Sequence, residues 1–355
     1  MGALASVDVQ RALARQMAQG VNGRAREGGP DYSHYQRNLA LELVRITEAA
    51  ALAGAAWVGR GDKNAADGAA VDAMRSVLDE IAMDGVVVIG EGAKDEAPML
   101  YCGERVGSGQ GPKLDVAVDP LDGTSLVAGG RNGAVAVLAT AERGCMLDPG
   151  DCVYMDKLVV GPAAAGAVDL NAPIAETLAI VAESLQKRVS DLGVVILDRP
   201  RHASLVDEVR ACGARIRLIS DGDVAASVAV ASEEANDCDV LIGTGGSPEG
   251  VITAAAVKCM GGEILGRLAP RDERERLSAE ALGLDVGRVY KTDDLCSGDE
   301  VYFAATAVTT GDLLKGVVFT PFGAQTHSLV MRAKSGTVRF IETSHRFTST
   351  PIVWT

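Results

Sequence analysis

Asp119-Pro120-Leu121-Asp122-Gly123-Thr124 sets two carboxylates close together after Leu114-Asp115-Val116-Ala117-Val118, whose alternation predicts a strand with one buried face. Pro120 has no N–H to give to a sheet ladder, so the strand is expected to stop there and leave both acids on a tight turn. Two neighbouring hard anions suit a divalent cation, and Mg²⁺ is typically held by carboxylates together with phosphate oxygens. Gly123, Thr124 and Ser125 then offer backbone N–H groups where a helix can begin, which is a seat for a phosphate.

Other acids recur at the ends of predicted elements. Asp67 stands at the mouth of a helix predicted over Gly68–Met83, and Glu91 lies between Gly90 and Gly92 after the strand Val86–Ile89. Glu249 opens a helix, Glu249–Met260, after the loop Gly243-Thr244-Gly245-Gly246-Ser247-Pro248. Each has a plain alternative: Asp67 as a helix cap, Glu249 as a first-turn acid beside proline, Asp119 and Asp122 as turn residues. Glu91, flanked by glycines, has none. Together the five could be gathered by a fold into one metal-holding cleft.

Basic and polar residues sit in similar places. Lys63 follows Gly59-Arg60-Gly61-Asp62, and Arg199-Pro200-Arg201-His202 and Asp221-Gly222-Asp223 follow predicted strands. Arg199 and Arg201 could fork onto a phosphate or merely solvate a loop. Asp221 and Asp223 could bond sugar hydroxyls or form a helix-capping turn. Tyr154 is either apolar filler or a phosphate donor.

Gly243-Thr244-Gly245 after a strand imitates a dinucleotide fingerprint, but Pro248 occupies the third glycine position, so a nucleotide-binding regulator is the weaker reading. There is no Walker loop, zincin motif or nucleophile elbow. The four histidines are scattered, which argues against a histidine-rich zinc site.

The elements that must position these residues fall into two groups. Leu39–Leu52 predicts a helix with Leu39, Leu43, Ile46 and Ala50 on one stripe, and Ala134–Thr140 predicts a strand beside the one before Asp119. Beyond Ala172, strands over Leu192–Leu197, Arg215–Ile219 and Val240–Ile242 alternate with helices over Ser204–Cys212 and Asp223–Ala231, the pattern of crossover units on a parallel sheet. The tail returns to strands over Val301–Val308, Val317–Thr320, Ser328–Arg332 and Thr337–Glu342. With 355 residues the chain suits two closely packed domains after a flexible extension 1–37: an α+β metal-binding domain 38–180 and an α/β substrate-binding domain 181–355.

Hydrophobic residues make up 47% of the chain and aromatic ones only 4%, so the core is expected to be built from Ala, Val, Leu and Ile. A formal charge of -14 argues against non-specific nucleic-acid binding, but not against an anionic substrate met by local cations. No apolar run is long enough for a membrane span. Seven cysteines without a C-x-x-C pair suit core positions in a reducing cytoplasm.

The combination of Gly59–Asn64 with Asp67, Ile89-Gly90-Glu91-Gly92, Asp95-Glu96-Ala97-Pro98-Met99-Leu100-Tyr101, Asp119–Thr124, Tyr154-Met155-Asp156-Lys157-Leu158, Arg199–His202, Asp221–Ala226 and Gly245–Gly250 resembles class II, GlpX-type fructose-1,6-bisphosphatases. These belong to the lithium-sensitive, metal-dependent sugar phosphatases, and the resemblance runs from about Asn38 to His345. It implies an α/β (α+β) fold, the layered αβαβα sandwich of the sugar phosphatase and inositol monophosphatase type. It also implies that Asp67 and Glu91 hold one Mg²⁺ or Mn²⁺ and that Asp119, Asp122 and Glu249 hold a second.

By the same resemblance Lys63, Asp122, Gly123, Thr124, Tyr154, Arg199, Pro200, Arg201, Asp221, Gly222, Asp223 and Gly246 line the bisphosphate pocket. The implied activity is hydrolysis of the 1-phosphate of D-fructose 1,6-bisphosphate in gluconeogenesis, with Thr124 and Asp95 orienting the attacking water. A homo-oligomer, dimer or tetramer, is expected in the cytoplasm. Sedoheptulose 1,7-bisphosphate is a further substrate to weigh, and an inositol-monophosphatase-like activity is the alternative within the same chemistry.

Overall fold

The computed structural model describes residues 33–92, 99–232 and 237–347, with side chains from Leu39 onward. Asp95 and the N-terminal stretch before residue 33 lie outside the described residues. No helix among those described is long and apolar enough to cross a membrane.

The described residues open with helices α1 (Ser33–Ala55) and α2 (Lys63–Leu78). The first buries the expected stripe of Leu39, Leu43, Ile46 and Ala50. The second starts at Lys63 rather than Gly68, because Asp62 is its cap: the Asp62 carboxylate accepts from the backbone N–H of Ala65 at 3.0 Å. Asp67 therefore lies within the helix, and the capping explanation for it falls away.

The first sheet begins with β1 (Asp84–Ile89), β2 (Arg105–Val106), β3 (Lys113–Asp122) and β4 (Val135–Glu142), with the short helix α3 (Thr124–Ala128) between the last two. The chain then crosses to a second sheet of β5 (Tyr154–Val160), β6 (Gly193–Leu197), β7 (Arg215–Ile219), β8 (Val240–Gly246) and β9 (Glu263–Leu268). Helices α4 (Ile174–Ser184), α5 (Ala203–Ala211), α6 (Asp223–Ala231) and α7 (Ser247–Met260) are interleaved with these strands. After α8 (Glu273–Ala281) and α9 (Thr292–Leu295) it returns to the first sheet as β10 (Tyr302–Ala307), β11 (Val318–Thr320), β12 (Gly323–Arg332) and β13 (Thr337–Arg346).

The second sheet runs β7-β6-β8-β5-β9. Alternating strands and helices predicted a parallel sheet, and β6 does lie parallel to β7 and β8. Its other two strands, β5 and β9, are antiparallel.

Burial shows the layering. One core cluster joins α1 and α2 to one face of the first sheet, through Leu43, Met74, Val116, Val118 and Leu138. A second joins the other face of that sheet, at Ala117 and Val137, to α6, α7 and Met155 and Val159 of β5. The third joins the far face of the second sheet, at Leu158 and Ile196, to Leu178 of α4 and Val209 of α5. Consecutive residues of β3 and β5 thus point into different cores, as the two-residue period of a strand requires. The order of layers is αβαβα. Helix α7 lies between the two sheets and is apolar nearly all round, with Val251, Ile252, Ala254, Ala255, Ala256 and Val257 all buried.

Candidate active site

Pro120 does not end its strand. Strand β3 runs through to Asp122, and its pairing with β4 slips between Asp119↔Val137 and Asp122↔Val135. The missing proline N–H is absorbed in this bulge, one of the few places a sheet tolerates proline. The bulge keeps both acids at the strand end, and the N–H of Leu121 donates to Oδ1 of Asp119 at 3.0 Å. Gly123 follows with φ 96°, a left-handed turn that feeds Thr124 straight into α3.

The remaining acids converge on this bulge. Glu91, at the exit of β1, has its pKa pushed up to about 7 by burial and by the negative charges of Asp67 and Glu249. Burial, then Asp122, Glu249 and Glu91, holds Asp119 well above the ordinary carboxylate range. Asp122 is raised by burial and by Asp223, Glu249 and Asp221, with Lys157 opposing. Glu249 is raised by burial and Asp223, again with Lys157 opposing, and burial raises Asp67. All five thus sit partly or wholly out of water, with Glu91, Asp119, Asp122 and Glu249 linked by mutual repulsion and Asp67 joined to them through Glu91.

Among the described residues no group of three or more acids, histidines or cysteines is arranged to hold a metal ion as it stands. Oδ2 of Asp122 and Oε2 of Glu249 are buried and have no hydrogen-bond partner. Buried anionic oxygens without donors are costly, and hard oxygen donors suit a hard divalent cation. The donor set therefore fits a hard divalent cation.

Beside the acids lies a cleft of ≈ 260 Å³. Asp122, Tyr154, Arg199, Arg201, Asp221, Gly222, Asp223, Gly246 and Glu249 all contribute to its wall. Lys63, at the exposed start of α2, and Pro200 lie outside that wall, and Thr124 is half-buried at the first turn of α3. Arg201 stacks over Tyr154, its guanidinium carbon 4.9 Å from the ring centroid, and its Nη2 donates to the carbonyl of Thr244 at 2.7 Å. Asp221 accepts from the Ser125 hydroxyl at 2.6 Å, which ties α3 to the loop before α6.

Residues 243–246 are not the loop expected. They extend β8 against β5, with Tyr154 opposite Gly246. A Cβ on Gly245 would stand 2.2 Å from Oδ2 of Asp223, and one on Gly246 would stand 1.7 Å from Oε2 of Glu249. The glycines make room for two acids rather than for a dinucleotide.

Three residues given no role from sequence shape the site. Lys157, 1% exposed, donates to Asp223 at 2.7 Å. The signal was a lysine in the strand Tyr154–Val160, whose neighbours Met155, Leu158, Val159 and Val160 are apolar. His202, 4% exposed, meets the carbonyl of Leu197 at 2.7 Å through Nδ1, and its Nε2 accepts from the Thr244 N–H at 2.8 Å. With Nε2 accepting, Nδ1 is the donor, so a neutral ring ties the end of β6 to β8. Arg271 approaches the Tyr154 ring at 5.9 Å and is paired with Glu275; no short-range pattern marked it.

A family profile described as "Bacterial fructose-1,6-bisphosphatase, glpX-encoded" matches residues 37–345. The chain is 46% identical to fructose-1,6-bisphosphatase 1 class 2 of Escherichia coli strain K12, over 87% of this chain and 96% of that one. The same figures hold for the class 2 enzymes of Escherichia coli O6:H1 strain CFT073 and of Shigella flexneri. With its layered fold and its acids gathered beside an arginine-lined cleft, the chain belongs to the GlpX-type, class 2 fructose-1,6-bisphosphatase family.

Proposed function

We propose that the chain hydrolyses the 1-phosphate of D-fructose 1,6-bisphosphate, giving fructose 6-phosphate and inorganic phosphate. The observation that carries this reading is the meeting of the partnerless oxygens of Asp122 and Glu249 with Arg199 and Arg201 on one cleft. Asp67 and Glu91 would hold one Mg²⁺ or Mn²⁺, and Asp119, Asp122 and Glu249 another. When bound, such ions supply a water of lowered pKa and neutralise charge on phosphate oxygens.

The protein's own groups bind and orient. Arg199 and Arg201 take the distal 6-phosphate, a task suited to a planar fork of donors. Asp221 and Asp223 accept from sugar hydroxyls. The backbone N–H groups at the start of α3 meet the scissile phosphate, and Thr124, with Asp95, orients the attacking water. Positioning and charge stabilisation do most of the work in phosphoryl transfer, so a rigid strand end and helix start are suitable supports.

Phosphate release from fructose 1,6-bisphosphate, sedoheptulose 1,7-bisphosphate and inositol 1-phosphate, each with Mg²⁺, Mn²⁺ or a chelator, tests the reading. The first is expected to be the best substrate, with turnover abolished by chelation and by Glu249→Gln. Chelator-resistant turnover, or a Glu249→Gln variant of normal activity, would remove the metal assignment. Preference for inositol 1-phosphate would remove the substrate assignment.

A further inference from the structure

Asp221 and Gly222 are a shared wall: the cleft lies on one side, and on the other is a second cavity of ≈ 340 Å³. Its floor is apolar, formed by Val135 and Val137 of β4, Phe303 of β10 and Leu329 of β12. Val228 of α6 and Leu218 of β7 close its sides, and Leu218 is 44% exposed although it is a leucine on a strand. Packed interiors leave few voids larger than a water molecule, so an accessible space of this size over an apolar floor stands out. Its volume falls within the range of small-molecule sites, which are mostly apolar with a few fixed polar groups.

The charged groups around the cavity decide where a ligand's charge can sit. Arg217 is paired with Asp312 at 2.7 Å, and Asp221 is occupied by Ser125. Arg131, also in the wall, has no carboxylate partner among the described residues. A hydroxyl donor leaves Asp221 its negative charge, so the charged groups of the wall balance, and Arg131 is the cation among them without an ion-pair partner. We propose that this cavity is a second ligand site, which takes a small amphipathic anion with its apolar body between the sheets and its acid group on Arg131. Such an occupant would touch the back of the loop that carries Asp221.

Naphthalene-1-sulfonate is a suitable probe, having a flat apolar body, a permanent negative charge and no phosphate ester to be cleaved. Titration calorimetry on the full chain, with chelator present, reads binding without reference to any phosphatase activity. Saturable one-to-one binding is expected, weakened about tenfold or more by Arg131→Ala and by Leu218→Glu. Both positions are solvent-accessible, and thermal melting checks that the variants fold. Phe322→Ser, which removes a side chain 82% exposed elsewhere on the surface, is expected to leave binding unchanged. Absence of binding up to millimolar probe, equal binding by the wild type and both cavity variants, or loss of binding only in Phe322→Ser would each overturn the proposal.

Discussion

The ammonium of Lys157 lies 2.7 Å from Oδ2 of Asp223, with side-chain exposures of 1% and 7%. Asp223 in turn raises Asp122 and Glu249, so Lys157 is the buried cation that offsets part of this concentration of negative charge. Removing one partner of a buried pair leaves the other uncompensated, at a cost of about 3–5 kcal/mol, whereas replacing both by apolar groups is often near neutral. Lys157→Met is expected to lose stability of that order in urea denaturation, and Lys157→Met with Asp223→Leu to recover most of it. A loss below about 1 kcal/mol in the single variant would mean that water reaches the pair.

Stability without divalent ions is expected to fall as pH rises. A carboxyl whose folded pKa is raised favours folding below its unfolded value, and that advantage is lost as pH climbs through the folded value. For Glu91 the window runs from 4.5 to about 7, and the gap corresponds to roughly 3 kcal/mol. Melting temperatures in chelator should therefore drop between pH 5 and pH 8, Glu91→Gln should flatten part of the drop, and Mn²⁺ should restore stability at the upper end. A chelated protein that melts alike at both pH values would contradict the burial and mutual repulsion of these acids.

The layered architecture was legible because strand alternation separates inward from outward faces: Ala117 enters one core while Val116 and Val118 enter another. Three features were not. Proline argued for a stop at Pro120, and only pairing with β4 shows that a bulge absorbs it. The pattern Gly243-Thr244-Gly245 carries the same local signal in a phosphate loop and in a strand making space for Asp223 and Glu249. The return of the tail strands to the first sheet is a long-range pairing that no local window encodes. Among site residues, acids at element ends were visible as a set because burial of so many charges has few structural explanations. Lys157 and His202 act through partners distant in sequence, Asp223 and Thr244.

His202 is expected to act as a positioning residue. Its ring joins Leu197 to Thr244, and Arg201 holds the carbonyl of that same Thr244. His202→Ala leaves the Thr244 N–H without its acceptor and frees the segment that presents Arg199 and Arg201. Losing such a bond costs about 1–3 kcal/mol, and the KM for fructose 1,6-bisphosphate should rise about tenfold with a smaller change in kcat. Partial rescue by His202→Gln, whose amide offers both a donor and an acceptor, separates positioning from simple loss of packing. An unchanged KM in His202→Ala would show that Arg199 and Arg201 keep their place unaided.

Gly246→Ala probes the site with a single methyl group. The added Cβ would stand 1.7 Å from Oε2 of Glu249, far inside contact distance. Gly246 has φ -67° and ψ 137°, an extended backbone open to alanine, so backbone strain is not the issue. Glu249 is a flexible side chain at the start of α7, and it can swing away while the helix stays in place. Stability in chelator should then change by less than about 1 kcal/mol, while phosphate release falls about a hundredfold or more, the scale of effect for an ångström of misplacement. Mn²⁺ affinity, read by calorimetry, should fall in parallel, because the displaced carboxylate is one of the proposed ligands. Normal turnover in this variant, with a circular-dichroism spectrum like that of the wild type, would show that the orientation of Glu249 toward Gly246 is not the one used in catalysis.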